Sequence, residues 1–262
     1  MRFWSIGGMV AHSVSLNLRQ SESSHSFIQV CAIPMQQDSG PVWLITGAAG
    51  TLGSELVRRV LAHGHDCIAL DRNERGLNRL HDALAVEGHA PALYPLDLAG
   101  AGPNQYAELA DVIETEFGRL DVLVHAAAQF KALKPLEHQA GDEWFTTLQV
   151  GLTGPQLLTT ALLPLLRRAP RAVIGWINNG VCLEKPARWA AYGVCQAGRR
   201  QMAATMAAEL GPRGPRVLDL DPGPFFSPLR SAAWPAETAQ ELPSAATAAQ
   251  YIHERIEPGA LQ

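Results

Sequence analysis

The sequence predicts a doubly wound α/β domain, one parallel sheet of about six strands with helices on both faces. Two observations carry this reading. From Pro41 onward, short aliphatic or β-branched runs alternate with longer segments of helical period, and continuous apolar runs suit strands covered on both faces. A glycine-spaced turn, Thr46 to Gly53, joins the first run directly to the first amphipathic segment. The chain has 262 residues, 47% hydrophobic and 18% charged, and its unbroken alternation without a linker favours one domain over 41–262 rather than two.

Residues 1–40 read as an N-terminal extension, because they cluster Ser and His and lack a sustained period. Disorder is expected there, or a true start at Met35; a signal peptide at Arg2 and Phe3–Val10 is opposed by Gly7 and Gly8. The first strand, Val42–Thr46, runs through the glycine turn into a helix at Leu52–His63. A second strand, Asp66–Leu70, precedes a helix at Glu74–Val86, and a third, Ala92–Pro95, precedes one at Asn104–Phe117. The strand Asp121–His125 leads to a single long helix, Asp142–Arg168, and Ala172–Ile177 leads to Trp189–Leu210. Val217–Leu220 and the helix Ala245–Ile256 complete the order, in which each parallel crossover is right-handed.

Composition removes several function classes. A net charge of −4 with no basic run offers no footprint for nucleic acid or a membrane surface. The apolar stretch Leu157 to Leu166 is broken by Thr159, Thr160 and Pro164 and falls short of the roughly 20 residues a bilayer span needs. Cys31, Cys67, Cys182 and Cys195 are too scattered for a zinc cluster or a disulfide framework, so reduced thiols in a cytoplasm and no metal are expected.

The turn carries the clearest chemistry. Gly47, Gly50 and Gly53, with Thr46, Thr51 and Leu52 around them, allow a tight bend, close approach of a pyrophosphate and packing of helix on strand. Asp71 follows at the end of the second strand, where a carboxylate accepts from both ribose hydroxyls and repels a 2′-phosphate, so NAD(H) is favoured over NADP(H). Arg72 opposes that preference, since a guanidinium can pair a phosphate.

Over residues 41–256 the chain resembles the short-chain dehydrogenase/reductase family. Asp97-Leu98 resembles its adenine-contacting dipeptide, and Leu120 to Ala128 resembles its fourth strand, with His125-Ala126-Ala127-Ala128 in place of Asn-Asn-Ala-Gly. Leu148 to Leu166, Trp189 to Gly193 and Asp221 to Ser227 are similar to its long helix, active-site helix and nicotinamide-side loop. The resemblance implies a Rossmann-type fold. It also implies cofactor contacts from His125, Ala126, Ala127, Tyr192, Gln196, Pro222, Gly223 and Ser227 in addition to the turn, Asp71, Arg72, Asp97 and Leu98.

Of the family's Asn, Ser, Tyr and Lys, only the tyrosine is present, as Tyr192; Asn179 stands for the serine, Gln196 for the lysine and Gly151 for the asparagine. By resemblance Tyr192 donates a proton to a carbonyl that Asn179 polarises, while Gln196 reaches a ribose hydroxyl without charge. Lacking the lysine, Tyr192 is expected to titrate near about 10, which leaves an acid for reduction and a poor base for oxidation. The alternative is a catalytically impaired dinucleotide-binding protein acting as sensor or partner subunit. Arg199 and Arg200 read as solvent-facing, Cys195 as buried, and Gly151 as backbone with room for water. The lid segment Phe225–Leu242 suggests a small, apolar carbonyl substrate. The two long helices suggest a homodimer.

Overall fold

The computed structural model describes residues 40–257; the expectations for the extension fall on residues outside these. Six parallel strands, β1 (Val42–Thr46), β2 (Asp66–Asp71), β3 (Ala92–Pro95), β4 (Val122–His125), β5 (Val173–Ile177) and β6 (Arg216–Leu220), lie in the order β3-β2-β1-β4-β5-β6. The chain starts at the sheet centre, winds to one edge, then returns past β1 to build the other half. The crevice at the carboxyl ends of β1 and β4 is therefore the switch point where such sheets bind ligands.

Both faces are covered, which is why the strands are continuously apolar. Leu44, Ile68 and Leu70 face α3 (Pro103–Phe117) and α5 (Gly154–Arg168), meeting Tyr106, Leu109, Ile113, Leu158 and Leu162. Trp43, Ile45 and Ala69 point the other way, onto α1 (Thr51–Ala62), α2 (Glu74–Ala85) and α9 (Ala245–Ile256), as the period of two requires. β4 begins one residue later than expected because Asp121 serves as a clamp. Its carboxylate accepts from Val42 N at 2.9 Å and from Arg119 Nε at 2.8 Å, tying the start of β4 to the start of β1.

The long helix expected over Asp142–Arg168 is instead α4 (Gly141–Leu148), a π-helical segment over Gln149–Thr153, and α5. Pro155 has no N–H to give to Gly151 O four residues back, and its ring crowds that carbonyl. An extra residue per turn relieves the crowding, and such segments recur at functional sites. A short α6 (Val181–Glu184), the long α7 (Ala190–Leu210) and α8 (Pro228–Ala233) complete the fold.

Candidate cofactor and active-site cleft

A cleft of about 600 Å³ opens at the carboxyl ends of the strands. At its floor Gly47 adopts a left-handed φ of 71°, and a Cβ there would stand 2.8 Å from Ala127 Cα. A Cβ on Gly53 would lie 2.1 Å from Gly47 O, so the turn closes only with glycine at that position. Gly50 caps α1 without a side-chain acceptor, and the first turn carries no acid. Its free N–H groups face the cleft with the positive end of the helix dipole, an arrangement that fits a pyrophosphate.

Asp71 closes the adenosine side. Its carboxylate accepts from Ala49 N at 3.0 Å and Asn73 N at 2.8 Å, which holds it at the tip of β2, while Arg72 beside it is exposed. Thr51, Leu52, Asp97, Leu98, Ala126, Ala127, Pro222, Gly223 and Ser227 also line the cleft. Two residues assigned to the cofactor do not reach its surface. Thr46 is fully buried, and its Oγ accepts from Ala126 N and Ala127 N at 3.2 Å each, shaping the β4 terminus from beneath. His125 points into the α5 layer, 2.7 Å from Thr159 Oγ1 and with its ring 4.3 Å from that of Trp176. Burial, then the Arg199 charge, hold its pKa well below the usual imidazole range, so it packs as a neutral ring.

The three candidate catalytic side chains meet in the cleft: Asn179, Tyr192 and Gln196 all line it. Gln196 Oε1 accepts from Asn179 N at 2.9 Å, so the residue in the lysine position braces the residue in the serine position. Tyr192 sits on α7 against Phe130 and Trp189, with ring centroids 5.2 and 5.6 Å away. Burial raises its phenol well above the ordinary tyrosine value, and the Asn179 side chain and the Arg199 guanidinium only partly offset this. The expectation of titration near the ordinary value is therefore corrected upward. The phenol is an acid at neutral pH.

Arg199 is the largest correction. Against the expectation of a solvent-facing side chain it is 1% exposed, while Arg200 is exposed, as expected, and pairs with Asp219 at 2.9 Å. Arg199 Nε donates to Gly151 O at 2.6 Å, Nη1 to Ile177 O at 2.9 Å and Nη2 to Ala127 O at 2.6 Å. The carbonyl that Pro155 leaves without a helical partner is thus taken by Arg199. No carboxylate among the described residues lies within ion-pair distance of this guanidinium. Of its five N–H groups, three are engaged, and the side chain borders the cleft. A signal was available: seven residues on a helix turn about 700°, which returns Arg199 to the face of Tyr192.

Gly151 is also corrected. A Cβ there would stand 2.7 Å from Cys195 Sγ, so sulfur and not water fills that space. Cys195 itself is buried, as expected, and burial raises its thiol to about 11. Asp221, within the segment that resembles the nicotinamide-side loop, has a structural role that the sequence does not announce. It accepts from Gly180 N at 2.7 Å and Gly223 N at 2.9 Å, pinning the loop after β5 to the turn after β6. The lid aromatic Trp234 packs on Trp189 at 5.4 Å, under the Arg230 guanidinium at 3.6 Å.

With this geometry in place, comparison with known proteins defines the class. The short chain dehydrogenase family model matches residues 41–238, and the chain belongs to that family; it is an NAD(P)-dependent oxidoreductase of the Rossmann type. An uncharacterized oxidoreductase, YciK of Escherichia coli K12, is 30% identical over 200 residues, 76% of this chain and 79% of that protein. D-threitol dehydrogenase of Mycolicibacterium smegmatis is 30% identical over 196 residues, 74% of each chain. Among solved structures, a short chain dehydrogenase of Shigella flexneri complexed with NADP superimposes with a TM-score of 0.77 at 27% identity, covering 83% of this chain and 93% of that one. One from Escherichia coli CFT073 complexed with NADPH gives 0.76 at 28% identity, covering 81% and 89%. These likenesses lend no support to the alternative of an impaired binding protein. No helix among the described residues is long and apolar enough to cross a membrane.

Proposed function

We propose that the protein reduces a small, apolar carbonyl compound, with Tyr192 as the proton donor. The carrying observation is the buried Tyr192 phenol, its pKa raised by that burial, in the same cleft as a glycine-closed helix terminus without a side-chain cap. A bound nicotinamide dinucleotide supplies the hydride. Gly47, Gly50, Thr51, Leu52 and Gly53 hold its pyrophosphate, Asp71 its ribose, Asp97 and Leu98 the adenine side, and Pro222, Gly223 and Ser227 the nicotinamide side. Tyr192 and the Asn179 amide orient the substrate oxygen, and Tyr192 Oη gives up its proton as charge develops there. Arg199 supplies, beneath Tyr192, the positive charge that Gln196 lacks, so it is a positioning residue. Phe130, Trp189 and the lid after Pro224 exclude water from the apolar end.

NAD(H) is the cofactor we favour, on the carboxylate of Asp71; the NADP and NADPH bound by the two solved relatives make Arg72 the competing determinant. We place the enzyme in the cytoplasm, because Cys67, Cys182 and Cys195 are free, buried thiols. Titration with NADH and NADPH by nicotinamide fluorescence, followed by a carbonyl panel, tests the reading. Tyr192→Phe should bind NADH as wild type does and lose at least about 100-fold in turnover; equal turnover by the variant rejects Tyr192 as donor. Asp71→Ala should narrow or reverse the preference for NADH, and a tenfold wild-type preference for NADPH would assign control to Arg72.

A further inference from the structure

At the end of the sheet opposite the cleft, three side chains far apart in sequence converge. His65 stands just before β2, His253 in the last turn of α9, and Glu257 at that helix's C-terminal cap, 192 residues from His65. His65 Nε2 lies 3.3 Å and His253 Nε2 3.9 Å from the same oxygen, Glu257 Oε1. Donor atoms of all three fall within 4.8 Å of one another. Imidazole and carboxylate ligands at about 2.0–2.2 Å from a tetrahedral zinc ion stand about 3.3 Å apart, so the His65–Glu257 pair is already at that spacing and the other donors would close by at most about 1.5 Å.

An ordinary ion pair accounts poorly for the cluster. Glu257 already serves His65, while His253 is 1% exposed and its Nε2 has no hydrogen-bond partner among the described residues. A buried nitrogen without a partner needs an explanation, and a metal ion would provide one. The surroundings also favour a cation, since α1 and α9 both end here and present the negative ends of their dipoles. His63 also packs on the His253 ring, at 4.3 Å between centroids, and Arg59, whose field reaches His253 as well, lies 3.9 Å from Glu254.

The donors are held in place from outside. Trp43 stacks on His253 at 5.5 Å and on His65 at 6.2 Å, fixing both ring planes. Arg216 Nη2 binds the carbonyls of Arg255 and Ile256 at 2.8 and 3.1 Å, which secures the backbone leading to Glu257. We propose that His65, His253 and Glu257 form a site for a divalent transition-metal ion of the zinc class, with solvent completing the coordination. The ion would clamp the end of α9 to the amino end of β2, remote from the cleft and independent of its chemistry.

The test uses the full chain, stripped with a chelator and titrated with Co(II). One equivalent should bind with the visible absorption of four-coordinate Co(II), and Zn(II) should displace it. Saturating Zn(II) should raise the Tm by about 5 °C or more. His65→Ala and Glu257→Gln, both at partly exposed positions, should each abolish the band and the Tm rise while keeping the far-UV circular dichroism of wild type. No band in excess Co(II), or one equivalent retained in both variants, overturns the proposal.

Discussion

At the scale of single residues, the site turns on Arg199 and Tyr192. A phenol raised above the ordinary tyrosine range stays protonated below it, so carbonyl reduction should be flat between about pH 6 and 9, and alcohol oxidation should climb with pH throughout. Arg199 pulls the phenol down, so Arg199→Met should slow oxidation about tenfold for each pKa unit released and slow reduction much less. Arg199→Lys should restore part of the oxidation rate. A purely structural arginine would lower both directions together, and pH–rate profiles of the three proteins distinguish the cases. Lysine at position 196 would forfeit the acceptor for Asn179 N and bury a second cation near Arg199. Gln196 and Arg199 therefore read as one coupled exchange of charge position.

At the scale of elements, the π-helical segment links α5 to α7. Gly151→Asn would drive its Cβ to 2.7 Å from Cys195 Sγ, an overpacking expected to cost about 1–3 kcal/mol. Cys195→Ala in the same chain should return at least half of that, a coupling of about 0.5–1.5 kcal/mol measurable by urea denaturation. Additive losses would mean that the two helices do not meet as described. The individual elements were largely legible, since Val42–Thr46, Ala92–Pro95 and Ala245–Ile256 match expectation residue for residue. The π segment was not legible, because its amphipathic pattern is that of a continuous helix; the absence of an N–H on Pro155 was its only trace.

At the scale of the molecule, the faces of α4 and α7 carry Phe145, 72% exposed, and Val194, 44% exposed, on helices that pack side by side. Burying this pair against a second copy accords with a homodimer. Sedimentation at micromolar concentration should give a dimer that Phe145→Glu converts to monomer, and a monomeric wild type would reject the assembly. The sequence alone determined the class of fold, the glycine turn and the place of Asp71, because each depends on local period or on spacing within one strand–turn–helix unit, whereas the grouping of Asn179 with Tyr192 and Gln196 came from the family resemblance, since Asn179 stands on a separate loop. Only the tertiary structure decided that Arg199 is buried with its guanidinium on three backbone carbonyls, that His125 turns away from the cleft, and that His65, His253 and Glu257 converge. Those facts depend on which faces of distant segments are pressed together, and burial, unlike periodicity, is a property of the whole packed chain.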